Sequence, residues 1–126
     1  MDKFEICCMS FGFKHAEPPV ADIVMDVRFL DNPFYVPTLK EKSGLDRDVQ
    51  NFVLKDDYAH KFFERLYALL DCTVPQYRYK GRERLTVAFG CTGGRHRSVT
   101  TAETVAAHLR EQGHLVTVIH RDIDKK

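Results

Sequence analysis

The stretch from Leu85 to His120 constrains the fold more than any other part of the chain. The apolar run Leu85–Phe89 leads into Gly90-Cys91-Thr92-Gly93-Gly94-Arg95-His96-Arg97-Ser98. From Ser98 to Gln112 apolar residues recur at helical spacing, with Val99, Ala102, Val105, Ala106 and Leu109 on one face. Gly113 stands where a helix C-cap belongs, and Leu115–His120 reads as a further strand. A strand, a helix and a strand joined this closely make a β-α-β unit. Its two strands must be parallel and its crossover right-handed.

The rest of the chain fits around that unit. Phe4–Met9 is an apolar run that predicts a first strand, followed by a loop from Ser10 to Pro19. Ile23–Phe29 predicts a second strand, broken by Asp31-Asn32-Pro33. A short helix is expected around Asp46–Leu54 and a longer one over Asp57–Cys72, with Pro75 as its stop. Tyr58, Phe62, Leu66, Leu69 and Leu70 form the apolar stripe of that longer helix. Residues 76–84 read as a hairpin-like connection, and His60, His108 and His114 as solvated. The fold class expected is therefore α/β, a mostly parallel sheet of about four or more strands with helices packed on it. In such sheets ligands sit in a crevice beyond the carboxyl ends of the strands. The loops Ser10–Pro19, Arg28–Pro33 and Gly90–Arg97 are the ones placed to meet there.

Composition narrows the function classes. A chain of 126 residues suits one domain, here expected over 1–126. Its formal net charge of +1 gives no global attraction to nucleic acid or to an anionic membrane. Four cysteines (Cys7, Cys8, Cys72 and Cys91) form no Cys-x-x-Cys pair, so zinc-ligand spacing is missing and no disulfide framework is evident. No leader and no run of membrane-spanning length is present. The expectation is a cytoplasmic protein with no metal, no cofactor and no membrane partner.

The chemistry concentrates on Gly90–Ser98. A loop that leaves a strand and enters a helix presents unpaired N–H groups and the positive end of the helix dipole. Gly93 and Gly94 permit a tight turn, and Thr92 and Ser98 add hydroxyls. Arg97 adds a guanidinium fork, and Arg95 and His96 add further positive charge. All of this suits a phosphate dianion. The nucleotide pattern Gly-x-x-x-x-Gly-Lys-Ser/Thr is absent, so ATP has no support here. Cys91 and Arg97 also stand at the Cys-x5-Arg-Ser spacing of cysteine-dependent phosphatases, which leaves open a phosphatase with Cys91 as nucleophile and Arg97 on the phosphoryl group. Lys14, His15 and Arg28 are candidates to complete a phosphate pocket, with His120 and Arg121 as weaker additions at the end of the last strand. Arg78, Lys80, Arg82 and Arg84, interleaved with Tyr77 and Tyr79, could hold an RNA backbone, which leaves open an RNA-binding module without metabolite sensing; the alternative for this segment is a solvated connection.

Several segments in order carry a resemblance. They are Ser10-Phe11-Gly12-Phe13-Lys14-His15, Asp22–Leu30, Asn32-Pro33, Ser43-Gly44-Leu45-Asp46, Gly90–Val99 and His120-Arg121-Asp122. Together they resemble the C-terminal domain of the RNase adapter protein RapZ family, here without the family's N-terminal P-loop domain. The resemblance implies a non-catalytic sensor of glucosamine-6-phosphate that helps bind small RNAs and self-associates. An RNase or a separate P-loop protein would be a further partner. Carried over by position, it implies a pocket lined by Lys14, His15, Arg28 and Cys91–Ser98. It also contains departures: Ala16 replaces a common glycine, Asp31 a common proline, and the tail Asp122–Lys126 is less basic than an RNA-binding tail.

Overall fold

A computed structural model describes residues 3–126. Four strands, β1 (Glu5–Gly12), β2 (Ile23–Asp26), β3 (Arg84–Cys91) and β4 (Leu115–His120), form one sheet in the order β2-β3-β1-β4. Every neighbouring pair is parallel, with Cys8 opposite both Val87 and Val118 and Ile23 also opposite Val87. Three helices accompany the sheet: α1 (Arg47–Val53), α2 (Asp57–Tyr79) and α3 (Arg97–Glu111). A single 3-10 turn, Pro33–Tyr35, lies between β2 and α1.

The strand alternation divides the sheet into two unlike faces. Ile6, Cys8, Leu85, Val87, Phe89 and Val116 join one apolar cluster with Ala59, Phe63, Leu66, Leu70 and Val74 of α2 and Ala102, Val105, Ala106 and Leu109 of α3. Burying each large side chain there contributes about 1.5–3 kcal/mol. On the opposite face Leu115 stays 62% exposed and Ile119 43%. Handedness explains this asymmetry. The connections β2→β3 and β3→β4 step across the sheet in the same direction, so right-handed crossovers put all three helices on one face. The connection β1→β2 steps back and consists of plain loop.

The structure departs from the sequence reading at several points. Strand β1 continues through Ser10–Gly12, which the sequence placed in a loop, and Tyr58 and Leu69 of the expected stripe are exposed while Ala59, Phe63 and Val74 are buried. Helix α2 runs through Pro75 to Tyr79 instead of stopping before it, so residues 76–79 are helical and not a hairpin-like connection. Proline removes one helix hydrogen bond and crowds the preceding turn, at about 3 kcal/mol. Val74 is fully buried and Tyr77 packs against the core, which offsets that loss. Strand β2 ends at Asp26 and not Phe29, because the Asp26 carboxylate accepts the backbone N–H of Arg28 at 2.9 Å and turns the chain. His108 is not solvated: its ring stacks on Tyr67 with centroids 4.0 Å apart and bonds the Asp71 carboxylate at 2.8 Å. Pro75→Ala restores the missing N–H and is expected to raise stability by about 1–2 kcal/mol after allowing for the looser unfolded chain. Chemical denaturation checks this, and an unchanged or lower midpoint would show that Pro75 serves the packing.

Candidate functional site

Two backbones cross at the carboxyl end of the sheet. Gly94 has φ +76, a left-handed conformation that suits glycine, and a Cβ there would lie 2.6 Å from the Gly12 nitrogen. A Cβ on Gly12 would lie 2.5 Å from the Gly93 carbonyl carbon. The loop after β3 therefore rests directly on the end of β1. Beyond the strands the pairing continues, as Phe13 N–H donates to Cys91 O at 2.9 Å and Lys14 N–H to Thr92 O at 3.1 Å. This carries Lys14 to the loop. Asp122, fully buried, accepts the Gly12 N–H at 2.7 Å, Arg121 Nη2 at 2.9 Å and Lys125 Nζ at 2.7 Å.

The start of α3 organises the loop from within. The Cys91 thiol is buried, receives the Ser98 N–H at 3.4 Å and donates to Ser98 Oγ at 3.2 Å. Arg97 is only 6% exposed, and its Nη1 donates to the carbonyls of Arg28 at 2.5 Å and Leu30 at 3.2 Å. Its Nε is buried without a hydrogen-bond partner, as is the Nε of Arg95. A strap from Lys40 to Gly44 is tied to the same loop. His96 Nε2 bonds Lys40 O at 3.1 Å, Arg95 Nη2 donates to Glu41 O at 3.2 Å, and Gly44 N–H donates to Arg95 O at 2.7 Å. Burial holds the His96 imidazole below its usual range, and Arg95 and Arg97 push the same way against its backbone hydrogen bonds. At neutral pH His96 is therefore a neutral donor and not a cation.

Between loop and strap lies a cavity of about 420 Å³. Of the residues singled out in the sequence, Lys14, Cys91, Thr92, Gly93, Arg95, His96 and Arg97 line it. Ser98 and Gly94 stand behind it, one bonded to the Cys91 sulfur and the other at the crossing with Gly12. His15, Arg28, His120 and Arg121 are not among its walls. Arg28 is bound by Asp26, with Nη2 at 2.6 Å from the carboxylate, and lies over the Phe13 ring at 4.0 Å. His120 joins Ser10 Oγ at 2.6 Å to Glu103 at 2.7 Å, and Arg121 holds Asp122 and the Glu17 carbonyl. Sequence reasoning missed Asn32, Phe34, Tyr35, Lys40, Glu41, Lys125 and Lys126, all of which line the cavity. The Asn32-Pro33 turn was legible as a break, but nothing local to it shows that its aromatic residues line this cavity.

The four cations proposed for RNA lie elsewhere. Arg84 opens β3, whose other end carries Cys91, so the two regions are separated by the length of the strand, roughly 20 Å. Arg82 pairs with Asp22 at 2.7 Å, Arg84 approaches Glu5 at 3.8 Å, and Arg78 lies 5.6 Å from the Phe4 ring centre. Lys80 caps the C-terminus of α2. Among the described residues no group of three or more His, Cys, Asp or Glu could hold a metal ion, and no helix is long and apolar enough to cross a membrane.

Asp122 gives a pH test of the crossing. Burial raises its pKa, but hydrogen bonds from Arg121, Lys125 and the Gly12 N–H outweigh burial and hold it well below the usual 3.8. A depressed carboxylate contributes stability above its unfolded pKa and loses it as pH falls toward the folded value. Stability is expected to be flat in this term above about pH 5 and to fall below pH 4. Asp122→Asn should lower stability by about 2–3 kcal/mol at pH 7 and flatten that acid limb. Denaturant titrations from pH 3 to 7 check both, and an acid limb unchanged in Asp122→Asn would exclude this carboxylate as its source.

Comparison with known proteins gives the family of the chain. A family model described as the RapZ C-terminal domain matches residues 4–124. A protein named nucleotide-binding protein from Limosilactobacillus reuteri (strain DSM 20016) is 52% identical over 122 residues, which is 97% of this chain and 42% of that protein. Similarly named proteins from Caldicellulosiruptor bescii and Bacillus cytotoxicus are 49% and 48% identical, over 95% and 98% of this chain. The chain thus spans 41–42% of the length of these curated relatives. With the family match running almost from end to end, the chain belongs to the RapZ C-terminal domain family.

Proposed function

We propose that this chain, read as one domain over 1–126, is a non-catalytic binding module for a phosphorylated small molecule, seated in the cavity between the Cys91–Arg97 loop and the Lys40–Gly44 strap. The ligand class proposed is an amino-sugar phosphate such as glucosamine-6-phosphate. One observation carries the reading: Arg97 lines the cavity, nearly buried, with an Nε–H that no protein group accepts. A buried donor left without an acceptor is costly, and a small shift of the Arg97 guanidinium toward an anion in the cavity would satisfy it. The surroundings support it. Lys14, Lys40, Arg95, Arg97, Lys125 and Lys126 line the cavity, against Glu41 as the one carboxylate among the lining residues. The start of α3 adds the positive end of its dipole. The relatives' printed name, nucleotide-binding protein, also concerns a phosphorylated ligand. Coupling of the ligand to small-RNA binding is part of the proposal, with Arg78, Lys80, Arg82 and Arg84 as a surface at the far end of β3.

A second reading keeps the same cavity. The Ser98 N–H and hydroxyl both contact the Cys91 sulfur, the arrangement a thiolate nucleophile would need. Turnover of an aryl phosphate, lost in Cys91→Ser, would establish a phosphatase in place of a sensor. Binding without product supports the sensor.

Calorimetric titration with glucosamine-6-phosphate tests the main proposal. Arg97→Ala is expected to weaken binding by about 2–5 kcal/mol, the loss of one or two charge-assisted bonds. Unchanged affinity in a folded Arg97→Ala protein would refute the site. Affinity should also fall below about pH 6, where the phosphate loses its second charge. Burial holds His96 below its usual range, and its protonation would add positive charge to the cavity wall and favour an anion, so a fall in affinity on acidification belongs to the ligand.

A further inference from the structure

The cavity has one wall that a phosphate alone does not explain. Phe34 and Tyr35 stand on its edge with rings 5.5 Å apart, Phe34 48% exposed and Tyr35 79%. Lone exposed aromatics are ordinary on protein surfaces. These two are adjacent, line a cavity, and are held firmly. Pro33 is buried and begins the 3-10 turn, and the Asn32 side chain accepts the Phe34 N–H at 3.1 Å. The Val36 N–H closes the turn on Pro33 O at 2.9 Å, and the Lys40 ammonium lies 4.6 Å from the Phe34 ring centre. Lys40 thus engages Phe34, while the Tyr35 ring is left with most of its surface in solvent.

The turn is also positioned by the phosphate-loop machinery. Arg97 Nη1 holds the carbonyls of Arg28 and Leu30, just before Asn32. The aromatic platform and the cationic floor are therefore one rigid unit. Aromatic faces reward a flat apolar partner, and among the described residues only Phe34 meets the Tyr35 ring, edge to face, leaving it 79% exposed. A small dianion such as inorganic phosphate would satisfy the floor and leave the platform bare.

We infer that Tyr35, supported by Phe34, is a specificity-determining platform that selects phosphate esters carrying a ring over acyclic phosphates. The ring's face, whether a pyranose C–H face or an aromatic base, lies on Tyr35 while the phosphate meets Arg97 and the loop. This rests on the phosphate-site reading above and adds the residue that recognises the ring attached to the phosphate.

The test compares four probes by calorimetry on the full chain: glucosamine-6-phosphate, adenosine monophosphate, glycerol-3-phosphate and inorganic phosphate. The wild-type protein should bind at least one ring ester more tightly than glycerol-3-phosphate, and the better of the two identifies the kind of ring. Tyr35→Ala should cut that preference about three- to tenfold while leaving inorganic phosphate affinity unchanged. Tyr35→Phe should keep the preference, since the hydroxyl has no assigned task. Equal binding of ring and acyclic esters, or an unchanged ratio in Tyr35→Ala, overturns the inference. Arg97→Ala separates the two ideas. If it leaves all four affinities unchanged, the phosphate site is wrong and the platform falls with it. If it weakens all four while Tyr35→Ala changes nothing, only the platform is wrong.

Discussion

The contact of Gly94 with Gly12 is the constraint on which the site depends. Any side chain at either position would collide with backbone at 2.5–2.6 Å. Because both are glycines, the loop after β3 lies down on the end of β1 and brings Thr92 and Gly93 beside Lys14. Asp122 then locks the crossing by accepting the Gly12 N–H while holding Arg121 and Lys125. The carboxylate sits among two cations and a backbone donor, which compensates its complete burial. Through Lys125 the same lock positions the C-terminal tail on the cavity wall.

Topology supplies the rest. The strand order β2-β3-β1-β4 brings the ends of β1, β2 and β3 side by side. Parallel strands put their carboxyl ends at one edge, so the loops that leave them share a crevice. The start of α3 lies in that crevice because α3 directly follows β3. The functional residues of the proposed pocket come from three loops, a 3-10 turn and the tail, and the sheet holds them in register.

Arg97 shows how one residue serves two ends. Its Nη1 fastens the chain segment from Arg28 to Leu30, while its Nε is buried without a partner. Arg28, by contrast, is engaged by Asp26 and the Phe13 ring, away from the cavity. Two arginines with similar sequence credentials thus meet different neighbours. What separates them is that Arg28 is hydrogen-bonded by a carboxylate two residues away, while Arg97 hydrogen-bonds backbone carbonyls. Such side-chain pairing depends on turn geometry, which the order of residues alone does not reveal.

Local physics was enough to read a good part of this protein. The apolar runs at Leu85–Phe89 and Leu115–His120, separated by an amphipathic stretch, determined a parallel α/β sheet, because a short crossover admits no other pairing. The glycines and cations of Gly90–Ser98 marked the loop proposed to hold an anion, since their chemistry is carried by neighbouring residues. Tertiary structure alone decided the rest. Helix α2 continues through Pro75 because Val74 finds a core to enter. Phe34, Tyr35 and Lys40 reach the cavity because Arg95, Arg97 and His96 hold their segments by backbone carbonyls. Bonds to backbone atoms more than fifty positions away leave no trace in side-chain pattern, so the far wall of the pocket became visible only in the folded chain.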